Sequence, residues 1–241
     1  MHTLNTYWAF PSEISPENCK KIIDLGLSKK LIGGTTAGNN HKQVNSQLKP
    51  LGDKTYSEVK ENETYIRDSE VSWISDPWLY EILWPIVKKA NENAGWGYEI
   101  DFAEKCQFTV YKPGGFYGWH IDSGSDWNAV TKRHIPGITN SFKDNNYDEI
   151  KFGYSDENTK VGRVRKLSMT INLNVPGEYE GGNLKFDFGP HSTGERYHEC
   201  TEIRPQGSVI VFPSYTYHQV TPITKGTRYS LVCWFIGRPF K

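Results

Sequence analysis

The chain has 241 residues, enough for one well-filled hydrophobic core, and all-β barrels of this size often form a single domain. Lysine plus arginine and aspartate plus glutamate both number 28, so the formal charge is zero, which argues against a general nucleic-acid-binding protein. No apolar run approaches the roughly 20 residues of a membrane helix. We therefore predict a globular protein with neither a membrane nor a nucleic acid as its partner.

The N-terminus and the cysteines bear on the cellular compartment. Residues 1–8 lack a basic region followed by an apolar core, so no secretory signal peptide is predicted. The four cysteines, Cys19, Cys106, Cys200 and Cys233, form no CxxC pair and have apolar or strand-like neighbours. Free cysteines of this kind usually act as small hydrophobes, and reduced thiols are typical of the cytoplasm. We predict structural thiols and a cytoplasmic location.

Two helices are predicted in the first 95 residues. Ser15-Pro16-Glu17 supplies an N-cap, a proline at the first helical position and an acid in the first turn, so a helix over about 16–30 follows. The polar stretch 39–64 has no clear period and is predicted to be a loop with at most one edge strand. A second helix begins at Ser75-Asp76-Pro77, and Pro85 inside its apolar pattern should kink or split it.

After residue 96 the pattern changes to short strand-forming runs separated by Gly and Pro turns. Eight such runs favour a sandwich or jelly roll over an α/β fold. We predict one domain, 1–241, mostly β with supporting α: a helical support region, 1–95, whose helices pack on one sheet, and a β core, 96–241. The runs are Tyr98–Phe102, Lys105–Tyr111, Tyr117–Ile121, Lys166–Asn174, Asn183–Phe188, Ser208–Phe212, Tyr217–Thr221 and Tyr229–Ile236, and Glu70–Ile74 is a further candidate strand.

Residues 123–162 depart from this rhythm, because some forty residues carry many polar groups and little periodicity. Loops this long inside a compact domain are usually functional lids or disordered segments. The segment begins directly after Asp122, so we predict a lid-like insertion over the mouth of a site. A plain solvated insertion is the alternative.

A histidine and an aspartate stand two residues apart at the end of the segment 111–122. If the segment is extended, residues i and i+2 project to one face, so His120 and Asp122 offer an imidazole and a carboxylate together. His218 follows about a hundred residues later, and a jelly roll places strands distant in sequence side by side. Together the three form a 2-His-1-carboxylate set, which leaves coordination positions open and suits non-haem Fe(II).

Arg228 lies ten residues after His218, on the next predicted strand. A buried arginine needs an acidic partner, and no carboxylate neighbours it in the sequence. Its planar fork suits a carboxylate, so a carboxylated cosubstrate is the natural partner. Ser230, at i+2, points the same way and offers a hydroxyl.

These residues resemble the signature of the Fe(II)/2-oxoglutarate-dependent dioxygenases, which are built on a double-stranded β-helix. Tyr111-x2-Gly114-x2-Tyr117-x2-His120-x-Asp122 is similar to the prolyl 4-hydroxylase branch in particular. So are the segments 165–174 and 179–184, the second of which contains Gly181-Gly182, and Trp234, six residues after the arginine. The motifs extend from 108 to 235, more than half of the chain. The N-terminal helices are compatible with the family without being diagnostic.

The resemblance implies a cofactor set. His120, Asp122 and His218 would hold Fe(II), and Arg228 would pair with the far carboxylate of 2-oxoglutarate. The reaction would consume O2 and 2-oxoglutarate, release succinate and CO2, and hydroxylate a prolyl residue in a protein or peptide. Ascorbate is a further candidate cofactor.

The resemblance also assigns roles around this centre. Tyr111 and Ser230 are the implied hydroxyl partners of 2-oxoglutarate, with Asn172 as a weaker candidate on a neighbouring strand. The implied positions on the substrate side of the pocket are Tyr117, Trp234 and Arg165. No side chain beyond the metal site need act as a catalyst, since the protein positions the reactants and excludes water.

Three alternatives stay open. The first is an oxygenase of the same superfamily that acts on lysyl residues, a free amino acid or a nucleobase; the nucleobase branch typically has a second arginine where this chain has Trp234. The second is a cupin-type metalloprotein that does not use 2-oxoglutarate and would leave Arg228 without a carboxylate. The third is a catalytically inert jelly-roll binding module, which predicts no affinity for Fe(II).

Overall fold

The structure is a computed structural model and describes residues 5–34, 66–123, 153–154, 163–189, 196–238 and 240. The predicted lid, 123–162, lies outside these residues apart from Ser123 and 153–154, and so does the predicted loop 39–64. In chain order the elements are β1 (Trp8–Phe10), α1 (Pro16–Ser28), β2 (Ile32–Gly33), β3 (Arg67–Asp68), β4 (Glu70–Ile74), α2 (Pro77–Asn93), β5 (Phe102–Ala103), β6 (Cys106–Tyr111), β7 (Phe116–His120), β8 (Gly153–Tyr154), β9 (Val164–Asn172), β10 (Tyr179–Gly181), β11 (Leu184–Asp187), β12 (Tyr197–Glu199), a 3-10 turn (Thr201–Ile203), β13 (Val209–Pro213), β14 (Tyr217–Val220), β15 (Ile223–Gly226) and β16 (Arg228–Gly237).

The strands form two main sheets from segments that are distant in sequence. The larger sheet has the order β1-β13-β9-β16-β6-β4-β2, with β5 beside β16 and β8 beside β5. The smaller sheet has the order β12-β11-β14-β7-β3, and β10 pairs with β15 separately. All these pairings are antiparallel except that of β5 with β8. The predicted double-stranded β-helix is confirmed.

The two faces of the larger sheet differ because side chains alternate along each strand. One face packs against both helices and is apolar; Phe108, Met169 and Leu231 belong to the same buried cluster as Ile22 of α1 and Val87 of α2. The opposite face carries the intervening residues, which are often polar, and points away from the helices. The helices therefore support one side of the sheet, as predicted, and do not cover the other side.

The two helices follow their capping signals. α1 begins at Pro16, and its N-cap Ser15 accepts a hydrogen bond from the backbone N–H of Asn18 at 3.2 Å. α2 runs through Pro85 as one helix, so the predicted split did not occur. Pro85 and Glu81, whose carbonyl loses its helical partner, both lie on the exposed side, where water can satisfy that carbonyl.

The strand predictions differ most in the segment 98–103. The structure has a strand only at Phe102–Ala103, because Tyr98 is held by Asn91 at the end of α2: the Tyr98 N–H donates to the Asn91 side-chain oxygen at 3.0 Å. The other seven predicted runs of the β core, and Glu70–Ile74, overlap observed strands. Among the described residues, the helices are too short or too polar to cross a membrane.

Candidate active site

Three ligands predicted from the sequence meet at one end of the smaller sheet. His120 ends β7 and pairs directly with His218 of β14 in the antiparallel register, and Asp122 follows two residues after His120. His120 Nε2 lies 3.7 Å from Asp122 Oδ1, and His218 Nε2 lies 3.6 Å from Asp122 Oδ2. One ligand atom from each residue lies within 4.8 Å of the others. Metal–nitrogen and metal–oxygen bonds of about 2.0–2.2 Å bring ligand atoms to roughly this spacing, so the triad can share one ion.

Both imidazoles are oriented by backbone carbonyls. The Nδ1 of His120 donates to the carbonyl of Gly118 at 2.8 Å, and the Nδ1 of His218 donates to that of Thr216 at 2.9 Å. These bonds fix the tautomer that leaves each Nε2 free to bind a metal, as is usual for ligating histidines. Burial, with a smaller contribution from His218, lowers the pKa of His120 to about 3, although Asp122 opposes the shift. The His120 imidazole is therefore neutral near pH 7, as a ligand must be.

The position of Asp122 is fixed through its backbone. Its N–H and that of Ser123 both donate to the carbonyl of Ser214 at 2.9 Å, and Arg165 donates to the Asp122 carbonyl at 3.3 Å. Burial alone would raise the pKa of the Asp122 carboxyl, but the two histidines and Arg165 outweigh it and the pKa is lowered. The carboxylate is thus charged and buried, and its Oδ2 has no hydrogen-bond partner among the described residues. A buried anionic oxygen in this situation fits a metal cation.

Arg228 forms a second centre, on the larger sheet. It lies opposite Tyr111 of β6, and Ser230 lies opposite Asn172 of β9, so all four side chains project from the face that points away from the helices. Arg228 is 1% exposed; its guanidinium donates to Ser230 Oγ at 3.3 Å and lies 5.4 Å from the Tyr111 ring centroid. Its Nε has no hydrogen-bond partner in the described part of the chain.

Burying a guanidinium without an anionic partner is costly. Within the described residues, no carboxylate forms an ion pair with Arg228. A carboxylate of a small molecule would satisfy the orphaned Nε and complete the pair. The environment of Arg228 therefore fits an anionic ligand.

Asn172 has most of its hydrogen-bonding capacity committed within the protein. Its amide N–H groups lie within hydrogen-bonding distance of the carbonyls of Asn174, Arg204 and Pro205 at 3.2, 2.8 and 3.4 Å, and its Oδ1 accepts from Tyr179 at 3.4 Å. The side chain thus holds the turn before β13. Its predicted contact with the cosubstrate stays a prediction.

The Gly181-Gly182 pair brings the backbone close to Arg228. Gly182 has φ +60°, a left-handed conformation that side chains disfavour. A Cβ at this position would lie 3.0 Å from Cδ of Arg228, and it would also clash with the Ile223 side chain, 2.3 Å away. Glycine at position 182 therefore allows the backbone after β10 to approach the side chains of Ile223 and Arg228.

An apolar wall joins the two centres. Tyr111, Tyr179, Val220 and Ile223 form one buried cluster, and Tyr117 packs against it. Tyr111 pairs with Arg228 in the sheet register, while Val220 lies two residues after His218 on β14. The wall therefore extends from the neighbourhood of the guanidinium to that of the metal triad.

The three predicted substrate-side residues also lie beside the triad. The Tyr117 ring stacks on the His120 imidazole, with ring centroids 3.5 Å apart, and burial raises the pKa of Tyr117, so its hydroxyl stays neutral. The Arg165 guanidinium lies 3.9 Å from the Trp234 ring centroid while it reaches the Asp122 carbonyl. The ten predicted site residues thus lie at the triad, around Arg228 or beside these two centres, and their roles stay predictions.

The sequence reasoning missed two charged residues here. Glu104 receives two hydrogen bonds from Arg165, at 2.7 and 2.8 Å, and this buried pair fixes the arginine under Trp234. Arg67 of β3 lies 4.5 Å from the Tyr117 ring centroid and donates to Ser69 Oγ at 2.7 Å. The only signal for Arg67 was the serine at i+2, and Glu104 lies outside any regular pattern.

Comparison with known proteins agrees with this geometry. The family model of the 2OG-Fe(II) oxygenase superfamily matches residues 106–236. A PKHD-type hydroxylase of Nitrobacter winogradskyi is 30% identical over 131 residues, 53% of this chain and 41% of that protein. A second PKHD-type hydroxylase, from Prochlorococcus marinus, is 37% identical over 106 residues, 42% of each chain. The matches therefore span less than half the length of these curated relatives.

Solved structures show the same fold. A viral collagen prolyl hydroxylase from Paramecium Bursaria Chlorella virus-1, crystallised with 2-oxoglutarate, superimposes with a TM-score of 0.56 at 16% identity and 97% coverage of both chains. A Trichoplax adhaerens prolyl hydroxylase in complex with a hypoxia inducible factor peptide gives a TM-score of 0.55 at 17% identity, covering 96% of this chain and 83% of that chain. Because the family model spans more than half of the sequence and includes every ligand of the triad, the chain belongs to the 2OG-Fe(II) oxygenase superfamily.

Proposed function

We propose that this protein is a dioxygenase that uses Fe(II), 2-oxoglutarate and O2 to hydroxylate a prolyl residue in a protein or peptide. The observation that carries the proposal is the pairing of two buried centres in one pocket. One is the His120–Asp122–His218 triad, and the other is Arg228, which has no carboxylate partner among the described residues. A keto acid with a second carboxylate has one end for each centre.

The triad would hold Fe(II) through the two Nε2 atoms and the Asp122 carboxylate. When bound there, Fe(II) and 2-oxoglutarate would react with O2 to supply the oxidant that replaces a C–H bond by C–OH, with one oxygen atom entering the product and the other entering succinate as CO2 is released. The protein keeps the His120 imidazole neutral, and the Nδ1 bonds to Gly118 and Thr216 orient both imidazoles. Three protein ligands leave positions open for the keto acid and O2.

Arg228 would bind the far carboxylate of 2-oxoglutarate through its guanidinium fork. Ser230 already accepts from Arg228, so its hydroxyl proton is available to the same carboxylate, and Tyr111 lies opposite on β6. The apolar cluster that contains Tyr179, Val220 and Ile223 excludes water from the path between the centres. These residues thus orient the cosubstrate and protect it from side reactions.

Tyr117, Trp234 and Arg165 would form the substrate side of the pocket. Trp234 is 6% exposed, and its indole N–H has no partner in the described chain, so it can donate to a peptide carbonyl. Support for a protein or peptide substrate comes from the prolyl hydroxylase structures with the same fold, one of which holds a peptide. The four buried free cysteines support a cytoplasmic location.

The test is an anaerobic titration of Fe(II) and 2-oxoglutarate, monitored by the visible charge-transfer absorbance of the iron–keto acid chelate. We expect an absorbance band that is lost in Arg228→Ala at the same cosubstrate concentration. A screen of proline-containing peptides for the gain of one oxygen by mass then tests the substrate. A folded, iron-loaded protein without the band would support the cupin or binding-module alternative, and oxygen gain on lysine would replace proline as the target.

A further inference from the structure

An exposed tryptophan lies on the pocket face of the larger sheet. Trp73 of β4 is 44% exposed. Its neighbours on the strand point the other way: Ile74 belongs to the helix-facing core, and Ser72 donates to the carbonyl of Gly26 in α1 at 2.8 Å. Because side chains alternate along a strand, Trp73 projects away from the helices, on the same side as the candidate active site.

Trp73 is the outer end of a continuous row of side chains, Trp73–Trp234–Arg165, that leads to the metal ligand Asp122. Its ring lies 6.2 Å from that of Trp234, at an angle of 42°. Trp234 in turn covers the Arg165 guanidinium at 3.9 Å, and Arg165 donates to the carbonyl of Asp122 at 3.3 Å. The row passes from an exposed ring through a buried ring to the triad, so a chain whose target residue reaches the triad along Trp234 would next meet Trp73.

We propose that Trp73 is a specificity-determining residue that binds an apolar side chain of the substrate peptide two positions from the hydroxylated proline. The inference rests on the proposed prolyl hydroxylase function. In an extended peptide, residues two apart project to the same side with a spacing of about 6.6 Å. The separation of the two indole rings, 6.2 Å, matches that spacing. The target proline then packs beside Trp234 while the alternate residue packs on Trp73.

The chemistry of the row selects an apolar side chain at this position. Arg165 is the charged group of the row, and Glu104 neutralises it through two hydrogen bonds, so it has little to offer an acidic substrate residue. Trp73 itself offers a large ring with exposed apolar surface, a residue type that often dominates peptide binding. Leucine, proline or an aromatic residue would bury that surface, whereas an aspartate would be desolvated without a partner.

The experiment uses short peptides with one central proline in an alanine–lysine host. The versions differ only in having leucine or aspartate two positions before or after the proline. With the full chain loaded with Fe(II) and 2-oxoglutarate, we expect a preference for leucine at one of these two positions, either before or after the proline. At that position the leucine peptide should have a KM about tenfold lower than the aspartate peptide, a difference typical of one buried apolar contact. Trp73→Ala should remove this difference by raising the KM for the leucine peptide with kcat little changed, and Trp73→Phe should retain part of it.

Two controls separate binding from folding. The iron–keto acid absorbance without peptide should be the same in wild type and Trp73→Ala. Tyr197→Ala, which removes another exposed ring (52%) on the smaller sheet, should leave the leucine preference intact. The proposed role of Trp73 would be overturned by a leucine preference that persists in Trp73→Ala, or by the absence of any preference in a wild type that hydroxylates the peptides. Either result would leave the prolyl hydroxylase proposal standing. An intact absorbance band with no oxygen gain on any proline peptide would overturn the prolyl hydroxylase proposal and this inference with it.

Discussion

Replacement of Arg228 by methionine tests the cosubstrate assignment most directly. The side chain is 1% exposed and lacks a carboxylate partner among the described residues, so the cosubstrate would complete a desolvated ion pair. Removal of one partner of such a pair costs about 2–5 kcal/mol, which corresponds to a loss in affinity of roughly 30-fold to several thousand-fold. We therefore expect the dissociation constant of 2-oxoglutarate to rise at least ~30-fold in Arg228→Met, measured by calorimetry with Fe(II) in the absence of oxygen.

Without cosubstrate, the same substitution should maintain or raise the stability of the protein, although it weakens cosubstrate binding. Wild type then buries a guanidinium that no carboxylate of the described residues neutralises, whereas methionine fills similar volume without that desolvation cost. The Arg228→Met protein should be at least as stable as wild type in urea unfolding, despite the lost contact with Ser230. A cosubstrate concentration of 100 times the wild-type dissociation constant should stabilise wild type by about 2.7 kcal/mol and the variant by less than about 1 kcal/mol.

The matched control is Arg196→Met, which removes an arginine whose side chain is 48% exposed and pairs with Asp187 at the surface. This change should leave both cosubstrate affinity and stability close to those of wild type, because exposed ion pairs contribute little. If Arg228→Met lost several kcal/mol of stability without cosubstrate, Arg228 would have to be a structural residue satisfied inside the protein. If its cosubstrate affinity equalled that of wild type, another group would hold the carboxylate.

Three further outcomes follow from the site. Asp122→Ala should lose at least about a hundredfold in Fe(II) affinity with the fold retained, checked by metal content after dialysis and by circular dichroism, because it removes the one anionic member of the triad; wild-type iron content would contradict the triad. Gly182→Ala should lose about 1–3 kcal/mol of stability and weaken 2-oxoglutarate binding, whereas Gly33→Ala, where a Cβ meets nothing within 4 Å, should change neither. Burial raises the pKa of the Cys19 thiol to about 11 and that of Cys200 to about 12, so neither should react with a thiol reagent at pH 8 until the protein unfolds; rapid labelling of the native protein would show that they are accessible.

The metal triad could be predicted from the sequence because its chemistry is local. His120 ends β7 and Asp122 follows two residues later, a spacing that projects both side chains to the same side of an extended segment. His218 could be added because it follows a turn after a buried strand, and Arg228 because a buried arginine calls for an acid. Each of these signals lies within about a dozen residues of sequence.

Contacts between strands could not be predicted in the same way. Glu104 binds Arg165 across 61 residues of sequence, and Trp73 lies beside Trp234 across two strands of the larger sheet. Neither contact leaves a periodic trace, because each depends on which strands are neighbours and on their register. The prediction at Tyr98 failed for a related reason: a side chain at the end of α2 took the hydrogen bond that a strand would have used.

Register is the property on which this site depends most. His218 lies directly opposite His120, while Val220 lies opposite Tyr117, so β7 has one more residue than β14 between these pairs. This irregularity brings Tyr117 onto the same side as His120, where the two rings stack, although an odd spacing in a regular strand would put them on opposite faces. A shift of β14 by one residue would turn His218 away from Asp122 and replace it with an exposed neighbour such as Tyr217. The ligand residues can therefore be identified from their local sequence, but the centre they form exists only because the sheet fixes this one register.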